Sequence, residues 1–188
     1  YGFELPGAKK GDLNLLEIPH TLWKYRYKVH IGNEIDYSFI GKSAAGLKYN
    51  ISFELVTAEL PFGETAPRDV VLTGGVIPYK GTAALSQLEV PYVVELTASA
   101  SQTSFFLEID GRRWIYNHVS TPIKEGDKLR LSGVENVIYK GMALPDLNIN
   151  VRTNYEYFVI RPNPQKQVRY STDFRGTIKI LGFKELYK

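Results

Sequence analysis

Apolar and polar residues alternate along most of this chain with a period of two. The clearest case is residues 47–55, LKYNISFEL, in which Leu47, Tyr49, Ile51, Phe53 and Leu55 share one face and Lys48, Asn50, Ser52 and Glu54 the other. That alternation marks a strand with one buried face and one wet face. The same pattern predicts strands over residues 22–31, 35–40, 70–73, 92–98, 104–109, 113–116, 128–132, 136–139, 155–161 and 177–183. Helical periodicity is nearly absent; residues 12–18, with Asp12 as cap, and residues 83–88 are each expected to form a turn or two of helix.

Turn chemistry falls between these runs, at Gly32-Asn33, Asp110-Gly111, Glu125-Gly126-Asp127 and Ser132-Gly133. Asp110-Gly111 is the strongest hairpin signal, because both central residues of a type I′ turn need positive φ and this dipeptide adopts it at little cost. Many short strands at close spacing predict an all-β chain built as sandwiches or barrels. The stretches PFGETAPRD and GGVIPYKGT, between residues 61 and 82, are rich in Pro and Gly and resist regular pairing. They predict two small β domains. Residues 1–82 form an N-terminal β-sandwich or split barrel, and residues 83–188 form a C-terminal β-sandwich.

Composition agrees with strand. The chain carries thirteen Tyr and nine Phe against one Met, and aromatic side chains suit a pleated, half-buried surface. No Cys is present, so disulfides and thiolate metal sites are excluded and burial must hold the core. No stretch approaches the roughly twenty uninterrupted apolar residues of a membrane span, so no membrane role is expected. Nor does the start of the chain carry the charged-then-apolar pattern of a signal peptide. The formal charge is only +3, but the last stretch concentrates Arg161, Lys166, Arg169, Arg175, Lys179, Lys184 and Lys188 against Asp173 and Glu185. Such a stretch either meets nucleic acid or an acidic partner, or forms a solvated strand face.

Catalytic chemistry finds little foothold. His20, His30 and His118 have no second His at metal-ligand spacing, so no metal is expected. Glu108 and Asp110 alternate along one strand like an acid–base pair, yet Asp110 is needed by its turn and Glu108 then lies on the solvent face. Glu125 and Asp127 flank Gly126 in the same manner. Gly74-Gly75 and Gly81 lack the spacing of a phosphate loop, so no cofactor is expected, and the chain reads as a non-enzyme.

Two constellations suit binding. Arg112, Arg113, Trp114 and Tyr116 combine cations with aromatics on one hairpin strand, as sugar-stacking and single-strand nucleic-acid sites do; the competing reading puts Trp114 and Tyr116 in the core. Trp23, Tyr25 and Tyr27 alternate with Lys24, Arg26 and Lys28, giving an aromatic face expected to be buried and a basic face expected to be wet.

Four motifs in order give the C-terminal half a family likeness. They are Gly81-Thr82 followed by Val90 to Leu96 (VPYVVEL), Thr121 to Leu131 (TPIKEGDKLRL), Tyr157 to Pro164 (YFVIRPNP), and Gly176 to Ile180 (GTIKI) ending in Glu185-Leu186-Tyr187. In this order they resemble the C-terminal domain of the phage distal tail protein family, the hub at the tip of long non-contractile tails. Where that family tends to place Pro-Gly before Asn, this chain has Pro162-Asn163-Pro164, and residues 1–82 match in style only.

The resemblance implies an N-terminal domain that closes a homo-hexameric ring continuing the tail tube, with a galectin-like β-sandwich hung outside it, all in the virion at the tail tip. It implies as partners the tail tube, tail-associated and receptor-binding proteins, and host-surface carbohydrate, with DNA only passing through the lumen. A carbohydrate-binding module and a capsid or decoration protein are the alternative readings.

Overall fold

The computed structural model describes residues 14–16, 25–58, 60–133, 136–139, 145–148, 153–154 and 156–188. None of these residues is helical, and every strand pairing is antiparallel. The all-β expectation therefore holds. The two expected helical turns do not form in the described residues. Residues 14–16 are strand β1 (Asn14–Leu16), which pairs with β2 (Tyr27–Ile31), and residues 85–86 are strand too.

The chain divides into two compact units, residues 1–64 with Lys188, and residues 65–187. In the first, β1, β2 (Tyr27–Ile31) and β5 (Leu55–Thr57) form a three-stranded sheet in the order β1-β2-β5. Among residues 25–58 and 60–64, Val29 is the one buried large apolar side chain. β3 (Asp36–Ser43) and β4 (Gly46–Ser52) form a separate two-stranded hairpin, and β6 (Gly63–Glu64) bridges to Arg26.

The second unit carries the larger core. One sheet has six strands in the order β15-β14-β13-β10-β18-β7: β7 (Arg68–Val71), β10 (Val93–Ala98), β13 (Lys128–Leu131), β14 (Asn136–Tyr139), β15 (Pro145–Asn148) and β18 (Gly176–Phe183). The other has four in the order β12-β11-β17-β8: β8 (Val76–Pro78), β11 (Ser104–Ile109), β12 (Arg112–Asn117) and β17 (Gln167–Thr172). Short β9 (Leu85–Ser86) pairs with β16 (Val159–Ile160), and β19 (Leu186–Tyr187) ends the unit.

Burial follows the alternation strand by strand. Val94, Leu96, Leu129, Leu131 and Ile180 from the six-stranded sheet are at most 1% exposed, as are Leu107, Ile109, Trp114, Tyr116 and Val168 from the four-stranded one. The two layers of a β-sandwich thus enclose one core. Fully burying each such side chain stabilises the fold by about 1.5–3 kcal/mol.

One buried polar group stitches the layers' margins. The Gln87 amide donates to the Leu131 carbonyl (2.8 Å) and the Tyr92 carbonyl (3.2 Å), and its oxygen accepts the Phe158 N–H (2.8 Å). It is 2% exposed, and these bonds satisfy it.

The two compact units divide between Glu64 and Thr65. β7 and β8 lie in the Pro/Gly-rich stretch, yet they pair with β18 and β17. The prolines permit this: Pro67 stands just outside β7, and Pro78 ends β8, which is an edge strand that can spare a ladder N–H. The Asp110-Gly111 turn has the expected form, with φ of 51° and 78° and Ile109 paired to Arg112 across it.

Candidate interaction surfaces

The outward and inward sides of β12 separate the four residues expected to act together. Trp114 and Tyr116 are 0% exposed and sit in the core, where Phe105 lies 5.8 Å and 5.4 Å from their respective ring centroids. They are not part of any surface, because the strand's period of two turns them inward. Arg113 points outward, 3.9 Å over the Phe106 ring, with its Nε 3.2 Å from Glu108. Arg112, half-buried, holds Glu156 at 2.7 Å and lies 4.3 Å over the Tyr157 ring. Partial burial opposes the charge of its guanidinium, but the Glu156 hydrogen bond and the Tyr157 and Glu156 charges outweigh that and raise its pKa. Both arginines are therefore engaged by a neighbouring carboxylate and a neighbouring ring.

The acidic and histidine candidates are likewise occupied or isolated. Glu108 holds Arg113, and the Asp110 carboxylate accepts the Arg161 N–H at 3.0 Å and its guanidinium at 3.2 Å. Asp127 is buried and accepts the Lys124 N–H at 2.8 Å, which is a structural turn cap. His118 contacts Ser120 at 3.2 Å. Among the described residues no cluster of three or more His, Asp or Glu could hold a metal ion. Tyr25 and Tyr27 meet edge to face at 6.0 Å and are half-buried, so this aromatic face is only partly covered. Trp23, Lys24 and His20 lie outside the described residues.

The surface that stands out is the β3–β4 hairpin. Its register pairs Tyr37 with Ile51 and Phe39 with Tyr49, then slips by one residue before Lys42 meets Leu47. Tyr37, Phe39, Leu47, Tyr49 and Ile51 therefore share one face, and Asp36, Ser38, Lys48, Asn50 and Ser52 the other. The aromatic members interlock edge to face, Tyr37 with Tyr49 at 6.4 Å and Phe39 with Tyr49 at 5.5 Å.

The sequence assigns this apolar face to a core, yet Tyr37 is 76% exposed, Ile51 64%, Phe39 and Leu47 59%, and Tyr49 48%. No described residue covers it. Contiguous apolar faces of this kind mark places where another surface docks. Alternation along the chain marks the amphipathic strands; it does not reveal that, among the described residues, each pairs only with the other.

The second unit carries a different concavity, a polar groove of about 720 Å³ on the outer side of the four-stranded sheet. β17 supplies Gln167, Arg169 and Ser171 to it, β11 supplies Glu108, and the turns at Asp110 and Asn163 line its rim.

No family model matches the chain, and no curated protein is similar to it in sequence. Its fold does have a solved counterpart. The crystal structure of the SPP1 Dit (gp 19.1) protein, a paradigm of the hub adsorption apparatus in Gram-positive infecting phages, superposes with a TM-score of 0.51 at 12% identity. The match covers 88% of this chain and 61% of that one. The likeness is one of fold.

Proposed function

We propose that this chain is a structural component of a phage tail tip, a distal tail-type hub whose first unit assembles with copies of itself and whose second unit is a galectin-like sandwich displayed to tail-associated proteins and the host surface. The observation that carries the reading is the uncovered apolar face of the β3–β4 hairpin. The occupant that fits it is a second copy of the chain. The face holds one charge, that of Lys42, so it calls for an apolar partner, and the same unit offers exposed Ile35, Phe53, Leu55 and Val56 elsewhere.

A patch on one copy that meets a different patch on the next is a heterologous contact. Such contacts repeat around a closed ring or run on as a filament. The polar face of the hairpin stays wet in either case, which suits a ribbon lying on a neighbour. The fold likeness to a protein named for a hub adsorption apparatus supports the ring, and a hexamer is the reading the family resemblance favours. The role needs no turnover, and DNA only passes through the lumen.

Light scattering with negative-stain microscopy tests this. A mass close to six times 21.3 kDa with closed annular particles is expected. A species that remains at 21.3 kDa across a hundredfold concentration range up to the solubility limit would overturn the reading.

A further inference from the structure

We propose that the polar groove on the outer side of the four-stranded sheet binds a neutral oligosaccharide. The proposal does not depend on how copies of the chain assemble. At about 720 Å³ the groove lies within the roughly 300–1,000 Å³ of small-ligand sites, with room for a short chain of sugars.

Its hydrogen-bonding groups fall into two sets. One set is held in place: the Asn163 side chain donates to the Gln167 carbonyl at 2.6 Å and accepts the Gln167 N–H at 3.2 Å, while Arg161 clamps Asp110 and Arg113 clamps Glu108. The other set is unspent. Arg68, Arg112, Arg113, Arg130 and Arg161 each face a carboxylate, but Arg169 in the groove has none among the described residues. The Gln167 and Ser171 side chains also have no internal partner there, although the pleat aims all three outward from one strand at spacings of two.

These donors and acceptors select the ligand class. A guanidinium, an amide and a hydroxyl on the floor, beside carboxylates fixed at the rim, ask for a molecule that both accepts and donates along its length. Vicinal hydroxyls do both. An anion would meet Glu108 and Asp110 and could donate to neither; a cation would meet Arg169. The rim groups are already immobilised and cost little entropy to engage, while the floor side chains bring the unspent hydrogen bonds.

The test is a proton–nitrogen NMR titration of the whole chain with maltotriose, lactose and chitotriose as neutral probes and a glycerol phosphate oligomer as the anionic one. At least one neutral probe is expected to shift the amides of Gly75, Gly111 and Ser171. Arg169→Ala and Gln167→Ala, both exposed changes that the same spectrum shows to be folded, should each weaken that binding about tenfold or more, as losing a hydrogen bond to a charged or buried-on-binding group does. Lys179→Ala on the other sheet should leave it unchanged. Failure of every neutral probe to bind, binding by the phosphate oligomer alone, or neutral-sugar binding that survives both groove substitutions would each overturn the assignment.

Discussion

Replacing Phe39 by Ser separates assembly from folding. The ring is 59% exposed in the single chain, and an aromatic side chain offers about 200 Å² to burial, so roughly 120 Å² of Phe39 is left for a partner. At about 25 cal/mol per Å² that area is worth about 3 kcal/mol for each contact, a little over a hundredfold in the association constant. The same change costs the single chain much less. It removes one edge-to-face contact with Tyr49, worth about 1 kcal/mol, and Phe39 is not among the side chains of the buried core. Sedimentation velocity over a concentration series should therefore show the variant's dissociation midpoint rising by two decades, with its far-UV spectrum unchanged. The thermal midpoint of the dissociated chain should move by only a few degrees. If the variant assembles as tightly as the parent, the hairpin face is not the contact and the reasoning fails. If instead it loses its fold, Phe39 belongs to the core of the single chain.

Three further outcomes follow from the second unit. Trp114→Ala empties a fully buried site and should cost about 3–5 kcal/mol of stability, read as a large drop in urea midpoint; an unchanged midpoint would place the ring outside the core. Gln87→Ala should cost about 3 kcal/mol or more in the same assay, because it orphans the buried Phe158 N–H and two carbonyls together. Stability should also fall on the alkaline side. Burial, reinforced by the Glu185 charge and opposed by the Leu186 N–H, pushes the Tyr79 hydroxyl from 10.0 up to about 12, and burial with Glu185 does the same to Tyr187. The unfolded chain ionises these hydroxyls from pH 10 while the folded chain holds them neutral. Their contribution is therefore intact below pH 10 and lost as pH rises to 12, at about 1.4 kcal/mol per pH unit for Tyr79. Chemical denaturation at pH 9, 10.5 and 12 checks it, and a flat profile would refute it.

What the residues disclosed and what they hid have separate physical causes. β10 to β13 were legible because VVELTA, SFFLEI, RRWIYN and KLRL alternate cleanly and Asp110-Gly111 permits only a tight turn. β17 was missed. QVRYST alternates as well, with Val168 buried and Gln167 and Arg169 exposed, but it follows Pro162-Asn163-Pro164 and its cations read as a solvated tail. β8 reads as linker because Gly74, Gly75 and Pro78 bracket Val76 and Ile77, although Ile77 is 0% exposed in the core. Local punctuation predicts where a strand stops; it does not predict whether a distant edge is waiting for three residues. The groove could not be read at all, since it joins outward positions of β11 and β17 about sixty residues apart through pairing that places Glu108 opposite Ser171.

The same alternation produced opposite outcomes in the two units. Leu107 and Leu129 are 0% exposed because a second sheet covers the face that each presents. Tyr37 and Ile51 obey the same period and stay 76% and 64% exposed because only the two strands of the hairpin pair with each other. Period decides which face is apolar; the number of layers decides whether it is dry. A two-stranded ribbon is marginal by itself in water, and this one keeps a face whose burial would repay about 3 kcal/mol for a single ring. In the proposed assembly a second copy would supply the layer that this ribbon lacks.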